Sequence, residues 1–379
     1  MDFKLTEENK MLQEMARKFT EREVAPEAER IDREDIFPKE IMLKMGGLGW
    51  LGISIPEKYG GSGAGILACA LVIEQIARVS AGVASCYAVQ ANLVIDNLNR
   101  NGNEEQKSEY LPPLCLGEKI GALGVTEPSA GSDAMSMQLK ANKYPEGYVL
   151  NGTKIFISNG SVADTLLVYA RTAPERDSKG ISAFIVEKSY PGFSVGRKIE
   201  KLGHKGSPFG ELVFENCLVP HKNLVGMENE GAQIVRSGLE RERVVWAAEA
   251  LGIAQGAFEI ALRYSKERQQ FGQMISRFQM IREKLADMAV VIEAGRLLVY
   301  KAASLIDEGW MITTEASIAK LYVCEMAEQV AAKSLHILGG YGYTKEFPLE
   351  RYYRDAKAMP IGAGTSEMQR LIISHCLLK

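Results

Sequence analysis

The chain has 379 residues, enough for two to three domains with cores of their own, and its 45 Lys and Arg against 48 Asp and Glu leave a net charge of −3. Such a balance, with a pI near 6.0, offers no basic field to recruit nucleic acid or anionic lipid. The longest unbroken apolar run, Ile66–Ile73, falls far short of the roughly twenty residues a membrane helix needs, and Met1–Lys10 lacks the regions of a signal peptide, so the expectation is a cytoplasmic protein.

The six cysteines lie scattered without a Cys-x-x-Cys pair, and none of the four histidines stands at i,i+4 from another or from an acidic metal motif. Neither a disulfide framework nor a metal is implied, and the thiols are expected to be reduced and mostly buried.

Residues 6–24 place Met11, Leu12, Met15 and Phe19 at helical spacing behind Thr6 as N-cap and ahead of Pro26, which predicts an amphipathic helix. A short helix over Lys39–Met45 stops at Gly46-Gly47, and Pro56–Gly63 is a breaker-rich loop. The patterns at Ile66–Val79 and Val83–Asn99 are apolar around the whole circumference, as in helices buried between neighbours, and a helix near Glu104–Leu114 closes an all-α N-terminal domain, 1–118.

From Gly121 the period changes. Tyr148–Leu150, Leu166–Tyr169, Ile181–Val186 and Glu211–Phe214 are short β-branched or aromatic runs between turn residues, which predicts a small β domain, barrel or sandwich, over 119–228. Its most informative stretch is Leu123–Ser158. Leu123–Asp133 reads as a strand end running into a loop of small and hydroxyl-bearing residues, with Thr126, Ser129 and Ser132 beside exposed backbone N–H groups, a surface suited to a flat or phosphorylated ligand. Further on, Lys154–Gly160 reads as a strand that ends in a second hydroxyl, Ser158, and an Asn-Gly turn. An ordinary pair of β-turns would read the same.

Past Gly231 long helical patterns return at Gln233–Arg268, Phe278–Glu308, Thr313–Leu338 and Ser366–Leu378, which predicts an antiparallel four-helix bundle over 229–379. The first of these helices carries the charge cluster Glu240-Arg241-Glu242-Arg243 ahead of an apolar continuation that includes Trp246. A solvated helix start with i,i+3 and i,i+4 pairs is the commoner source of such a run. Arg268–Gly272 with Phe278-Gln279, Leu338–Gly342 and Ile361–Glu367 form three further loops, each weak alone.

Together and in this order these segments resemble the acyl-CoA dehydrogenase family, and its isovaleryl-CoA dehydrogenase branch most closely. The most specific parts are Val125–Asp133, Arg268–Gly272, and Arg354-Asp355-Ala356-Lys357 followed by Gly364–Glu367. The resemblance covers nearly the whole chain and implies an α+β protein: helical N-terminal domain, small middle β domain and C-terminal bundle. It implies FAD between the β domain and the bundle, with Leu123, Val125, Thr126, Ser132, Phe156, Ile157 and Ser158 at the isoalloxazine and ribityl half. Arg268, Phe271, Gln279, His336, Gly339 and Gly340 would hold the pyrophosphate and adenosine half, partly across a subunit interface, and Thr365, Ser366 and Glu367 would close over the cofactor. The family is usually a homotetramer, a dimer of dimers, that passes electrons to electron-transferring flavoprotein.

The implied reaction is α,β-dehydrogenation of an acyl-CoA, in which a base removes the α-proton as the β-hydride passes to flavin N5. The thioester oxygen then needs donors for its developing charge, and by resemblance the backbone N–H of Ala363 is one of them. Most of the family carries its catalytic glutamate at the position of Ala363. In the isovaleryl and long-chain branches the base aligns with Glu242, which this chain has. Glu240 is rotated about 200° from it around the helix and cannot share the role. Ser132, Glu240, Arg241, Arg243, Trp246, Ala363 and Gly364 are the residues expected at the acyl-CoA.

Four positions depart from the usual pattern: Phe156 for tryptophan, Ser158 for threonine, Lys205 for arginine and His336 for glutamine. The first two keep stacking and hydroxyl chemistry, and His336 replaces an amide contact. Trp246 lies one turn beyond Glu242 and is expected either to floor the acyl pocket, favouring a short, branched or compact cyclic group, or simply to pack between helices. Glu249 needs a partner if buried, and a basic side chain at the far end of the pocket or at a subunit interface is expected. An inactive flavin-binding or acyl-CoA-binding scaffold, an oxidase and a ring-dehydrogenating variant stay open as other readings.

Overall fold

The computed structural model describes residues 4–379. Helix α1, Glu7–Phe19, begins where the Thr6 hydroxyl accepts the Asn9 N–H at 3.2 Å, with Glu7 and Glu8 in its first turn and Arg17 and Lys18 in its last, and runs on into a π-helical turn, Thr20–Val24. Helices α2, Ala28–Glu34, and α3, Lys39–Gly47, follow. Helices α4, Gly65–Ala77, and α5, Ala81–Ala88, are buried almost throughout, as their all-round apolar sequence requires. A π-helical stretch, Val89–Asp96, leads from α5 into α6, Asn97–Asn101. Helix α7, Glu104–Cys115, starts with a reciprocal capping box between Asn103 and Gln106.

The middle of the chain forms β1, Gly121–Gly124; β2, Lys140–Tyr144; β3, Gly147–Ser158; β4, Thr165–Arg171; β5, Ile181–Glu187; β6, Phe193–Lys198; β7, Phe209–Pro220; and β8, Leu224–Val225. They share one sheet in the order β6-β7-β3-β2-β4-β5-β8, with β1 parallel to β4. The link between β2 and β4 is a single pair, Lys140 opposite Arg171, so the sheet divides there into two halves. Leu150, Leu212 and Phe214 of one half and Leu166, Val168, Phe184 and Val186 of the other lie in one small core, which makes the domain a sandwich. Strands β2 and β6 escape sequence reading because both are largely exposed and poor in apolar residues, β6 having only Phe193 and Val195.

Helices α8, Gly231–Glu267; α9, Gln279–Asp307; α10, Thr313–Leu338; and α12, Ser366–Leu377, form the expected bundle, and the charged α11, Leu349–Ala356, is an addition to it. By length and mean hydropathy α8 is apolar enough to cross a membrane, but 72% of its apolar window is buried inside the fold. It serves as the central helix, packed on α4 and α10. One continuous core joins Val72 and Ile73 of α4 to Leu251 of α8 and Val323 of α10, so the N-terminal helices and the bundle share an interior.

Candidate active site

Glu242 stands at the point where the three parts of the chain meet. Val235, Gly238, Leu239 and Glu242 follow one another at helical spacing along one stripe of α8 and form one wall of a small cavity. The opposite wall comes from Asn92, Leu93 and Asn97 of the helical domain and from Leu123, Val125 and Tyr169 of the β domain. Within that wall the Asn97 amide donates to the Tyr169 hydroxyl at 3.2 Å. Burial pushes the Glu242 carboxyl up to about 7, and the charges of Arg243 and Lys320 offset only part of that shift. Such a group is proton-accepting at neutral pH.

Its neighbours on the helix face elsewhere. The Thr313 hydroxyl donates to Glu240, and Arg241 pairs with Asp96 at 3.3 Å, a carboxylate that also holds Arg100 at 2.9 Å. Arg243 is buried, its Nε without an acceptor among the described residues, and burial draws its guanidinium below the usual range. The structure therefore brings Glu242, Leu123 and Val125 into one cavity while Glu240 and Arg241 engage other elements.

Ala363 and Gly364 form a turn with φ of +53° and +84°, a backbone strained for alanine and maintained by its surroundings. Three side chains grip it. The Trp246 indole N–H donates to the Met359 carbonyl at 2.9 Å, Lys320 donates to the carbonyls of Pro360 at 3.2 Å and Gly364 at 2.7 Å, and the Gln369 amide donates to Gly364 at 3.0 Å. Just beyond the turn, Thr365 caps α12 by accepting the Met368 N–H at 3.3 Å. Ser366 is buried with its hydroxyl unpartnered among the described residues, and Glu367 lies exposed in the same first turn.

Trp246 does not line the cavity, which extends from Glu242 toward the start of α8. Its ring instead lies parallel to His204 at 5.8 Å and against Gly362, where an added Cβ would come within 2.5 Å of Cζ2. The stripe through Glu242 runs both ways along α8, and helical spacing alone does not tell which direction the neighbouring domains leave open. Glu249 does have a basic partner, His204 at 3.3 Å, within the same chain.

In the β domain, the Lys154 ammonium is fully buried and donates to the Val125 carbonyl at 2.9 Å and to Glu127 at 2.8 Å. Glu127 in turn accepts the N–H groups of Gln138 at 2.5 Å and Leu139 at 2.9 Å, so the pair shapes the loop that carries Ser132. Between Lys154 and Ile157 the register of β3 on β7 shifts, and Phe156 adopts φ +62°. This bulge turns the ring outward, 52% exposed and stacked on Phe209 at 5.5 Å, while Ile157 is buried. Ser158 is half-buried at the end of β3 and Ser132 is exposed.

A second, larger cleft lies at the far end of α8. Tyr264, Arg268, Gln270 and Ile275 line it together with Ile337–Tyr341, which includes Gly339 and Gly340, and the Arg268 guanidinium sits over the Tyr341 ring at 5.9 Å. Phe271, 93% exposed, is not among the lining residues, nor are Gln279 at the start of α9 and the exposed His336. Sequence reading missed the cavity residues Asn92, Asn97 and Tyr169, which come from segments remote in the chain. It also missed Lys320, whose one available signal is a charge within the apolar stripe Ala316, Ala319, Val323.

These features fit a flavin dinucleotide. A guanidinium beside a glycine turn suits a pyrophosphate. The outward Phe156 offers a stacking face, and the orphaned Ser366 hydroxyl at the start of a twelve-residue helix awaits an acceptor or donor.

Three family models match the chain: the N-terminal domain of acyl-CoA dehydrogenase over residues 6–118, the middle domain over 122–217 and the C-terminal domain over 229–378. The chain is 46% identical to the short-chain specific acyl-CoA dehydrogenase of Clostridium acetobutylicum, covering 99% of each, and 47% identical to the mitochondrial isovaleryl-CoA dehydrogenase of Pongo abelii over 98% of this chain and 89% of that one. The butyryl-CoA dehydrogenase structure from Megasphaera elsdenii superposes with a TM-score of 0.98 at 42% identity, covering 100% of both chains. With its helical ends, central sheet and three matched domains, the chain belongs to the acyl-CoA dehydrogenase family, the FAD-dependent enzymes that dehydrogenate acyl-CoA thioesters.

Proposed function

We propose that the chain dehydrogenates a short, branched or compact cyclic acyl-CoA, with Glu242 as the base that takes the α-proton. The observation that carries this reading is a carboxyl raised to about 7 inside a cavity that all three domains line, in a chain that has alanine at position 363. FAD supplies the hydride acceptor for the β-carbon. The Ala363 N–H, in its gripped turn, donates to the thioester oxygen and stabilises the charge that develops as the α-proton leaves. Arg243 offers its unpartnered Nε as a further donor at the substrate, and Ser132 and Gly364 border the thioester. Asn97, Tyr169, Leu93 and Leu239 bound the acyl end and leave little room for a long chain. The isovaleryl-, butyryl- and short-chain-specific names of the relatives support the same size class.

Leu123, Val125, Thr126, Phe156, Ile157 and Ser158 hold the flavin half, and Arg268, Gly339 and Gly340 the pyrophosphate half. Phe271, Gln279 and His336 lie outside that cleft within one chain and serve a neighbouring subunit, which requires at least a dimer and suits the homotetramer usual in the family. Electrons then pass to electron-transferring flavoprotein. The test is anaerobic flavin bleaching by a panel of straight, branched and cyclic acyl-CoAs, with wild type and Glu242→Gln. The variant should retain FAD and bind acyl-CoA yet lose reduction by orders of magnitude; near-normal bleaching would move the base elsewhere. Wild-type bleaching that is fastest with octanoyl-CoA would refute the size class.

A further inference from the structure

His204 leaves the loop between β6 and β7 with a left-handed backbone, φ +51°, and enters the interior where all three parts of the chain converge. Its Nε2–H donates to the Asp355 carbonyl at 2.9 Å, and its backbone N–H donates to the Asp355 carboxylate at 2.6 Å. Its Nδ1 lies 2.8 Å from the Ser85 hydroxyl of α5 and 3.3 Å from Glu249 of α8. Ser85 in turn donates to Glu249 at 2.7 Å. With the hydroxyl hydrogen committed to a carboxylate and Nε2 committed to a carbonyl, Nδ1 completes the network only as a second donor, which is the imidazolium form.

Glu249 is fully buried and, among the described residues, its Oε2 has no hydrogen-bond partner, which leaves the His204 ring as the basic group beside it. The remaining charges that face His204 are the Asp355 carboxylate and the Lys201 ammonium, the latter donating to the His204 carbonyl at 2.6 Å. Glu249 and Asp355 raise the imidazolium's pKa while burial and Lys201 oppose them, and the balance lies above the ordinary histidine range. The charged ring then lies 5.8 Å from the Trp246 indole and within 12° of parallel to it. On its other side that indole donates to Met359 and fills the space at Gly362.

We propose that the His204–Glu249 ion pair is a positioning device for the reaction: it fixes Trp246, and through it the turn that presents the Ala363 N–H to the thioester oxygen. The proposal rests on the role given above to Ala363. Neither residue of the pair lines the cavity, so both act through Trp246. Glu242 must be ionised to accept a proton while His204 must stay protonated to keep the turn in place. Flavin reduction therefore has an acid limb from the first group and an alkaline limb from the second.

The test uses the FAD-loaded enzyme and butyryl-CoA. Glu249→Gln keeps an acceptor for Ser85 but removes the charge, and is expected to retain FAD. Its rate of flavin reduction should fall by about tenfold or more, since displacement of a reacting group by an ångström costs up to about a hundredfold, with the concentration of substrate at half-saturation little changed. A second readout does not involve catalysis. In wild type the pair's stabilisation is complete below the unfolded histidine value, about 6.5, and is lost as pH rises through the higher folded value. The thermal midpoint of wild type should therefore fall over that window by more than that of Glu249→Gln, in which only the smaller fall caused by Glu242 remains.

Both effects are required. A Glu249→Gln enzyme that reduces flavin at the wild-type rate, or one whose midpoint still falls with pH as wild type does, overturns the proposal. Should that variant fail to fold, His204→Asn carries the same two readouts, because asparagine tolerates the left-handed backbone. The midpoint data test the pair even if Glu242 proves not to be the base, so the two failures are distinguishable.

Discussion

Glu242 and Glu240 sit two residues apart in the same helix and differ in what burial does to them. Glu240 is half-exposed and accepts a hydroxyl from Thr313, whereas Glu242 lies in the cavity with its carboxyl pushed up to about 7. Proton abstraction should accordingly show an acid limb centred near that value in anaerobic flavin reduction, and a rate independent of pH down to the ordinary glutamate range would remove the basis for the assignment. The same shift carries a stability cost of defined sign. A carboxyl whose folded pKa is raised favours the native state below the unfolded value of about 4.5, and that preference is lost as pH rises through about 7. Glu242→Gln removes the ionising group, so the apoprotein variant should be more stable than wild type at mildly alkaline pH, by at most about 3 kcal/mol from the size of the shift. Chemical denaturation of both apoproteins at acid and alkaline pH measures the difference. No gain at alkaline pH would mean that the carboxyl is solvated.

Strand β3 and the loop it supports show how an element prepares a site. The strand delivers Lys154 to a fully buried position, where its ammonium holds the Val125 carbonyl and the Glu127 carboxylate, and two residues later a bulge throws Phe156 outward. Desolvation draws the Lys154 ammonium down to about 8, against the opposing pull of Glu127. Lys154→Met leaves Glu127 buried with only backbone donors, and stranding one member of a buried pair costs about 3–5 kcal/mol. The expected outcome is a lower denaturation midpoint together with poor FAD retention, while Lys154→Met/Glu127→Met recovers most of the stability but not the retention. Stability unchanged in the single variant would mean that Glu127 takes up a proton at no cost. Little of this was legible beforehand. Long apolar periodic segments such as Thr313–Leu338 appear in the structure at the bounds their sequence predicts, because periodicity over many turns leaves one solution. The polar strands β2 and β6 carry no such pattern, a bulge has no sequence mark when its residue is not glycine, and α11 is too charged to announce a buried face. The loop glycines could be picked out locally and Glu242 only through the family resemblance, whereas the cavity wall of Asn92, Asn97 and Tyr169 exists only once distant segments fold together.

At the scale of the whole molecule, the cavity depends on the N-terminal helices being locked to the bundle. Ion pairs and charge-assisted hydrogen bonds between the two parts accomplish this. Asp307 at the end of α9 accepts the N–H groups of Ile66 at 2.6 Å and Leu67 at 2.9 Å, capping α4 from another domain. Arg78 joins Glu21 of the N-terminal π-helical turn to Glu259 of α8, at 2.8 and 2.7 Å. Most buried of all is Glu74 of α4, 1% exposed, which pairs with Arg296 of α9 and accepts the Tyr300 hydroxyl at 2.6 Å. Arg296 also donates to Gln255 of α8 at 2.8 Å, so one guanidinium ties three helices. These contacts and the shared core make the helical parts a single cooperative unit despite their separation in sequence. Arg296→Met strands the Glu74 carboxylate and should cost about 3–5 kcal/mol, the penalty of an unpaired buried charge rather than the net worth of the pair. Arg296→Met/Glu74→Met replaces both charges with apolar volume and should regain most of that loss. If the N-terminal helices are coupled to the bundle in this way, thermal unfolding followed by far-ultraviolet dichroism and by tryptophan emission, which includes Trp50 near α3 and Trp246 in α8, coincides in wild type and in the double variant. The single variant should separate the two signals, with Trp50 released first. Coincident transitions at an unshifted midpoint in Arg296→Met would show that the apolar interface between α4 and α8 holds the domains together without help from the ion pair.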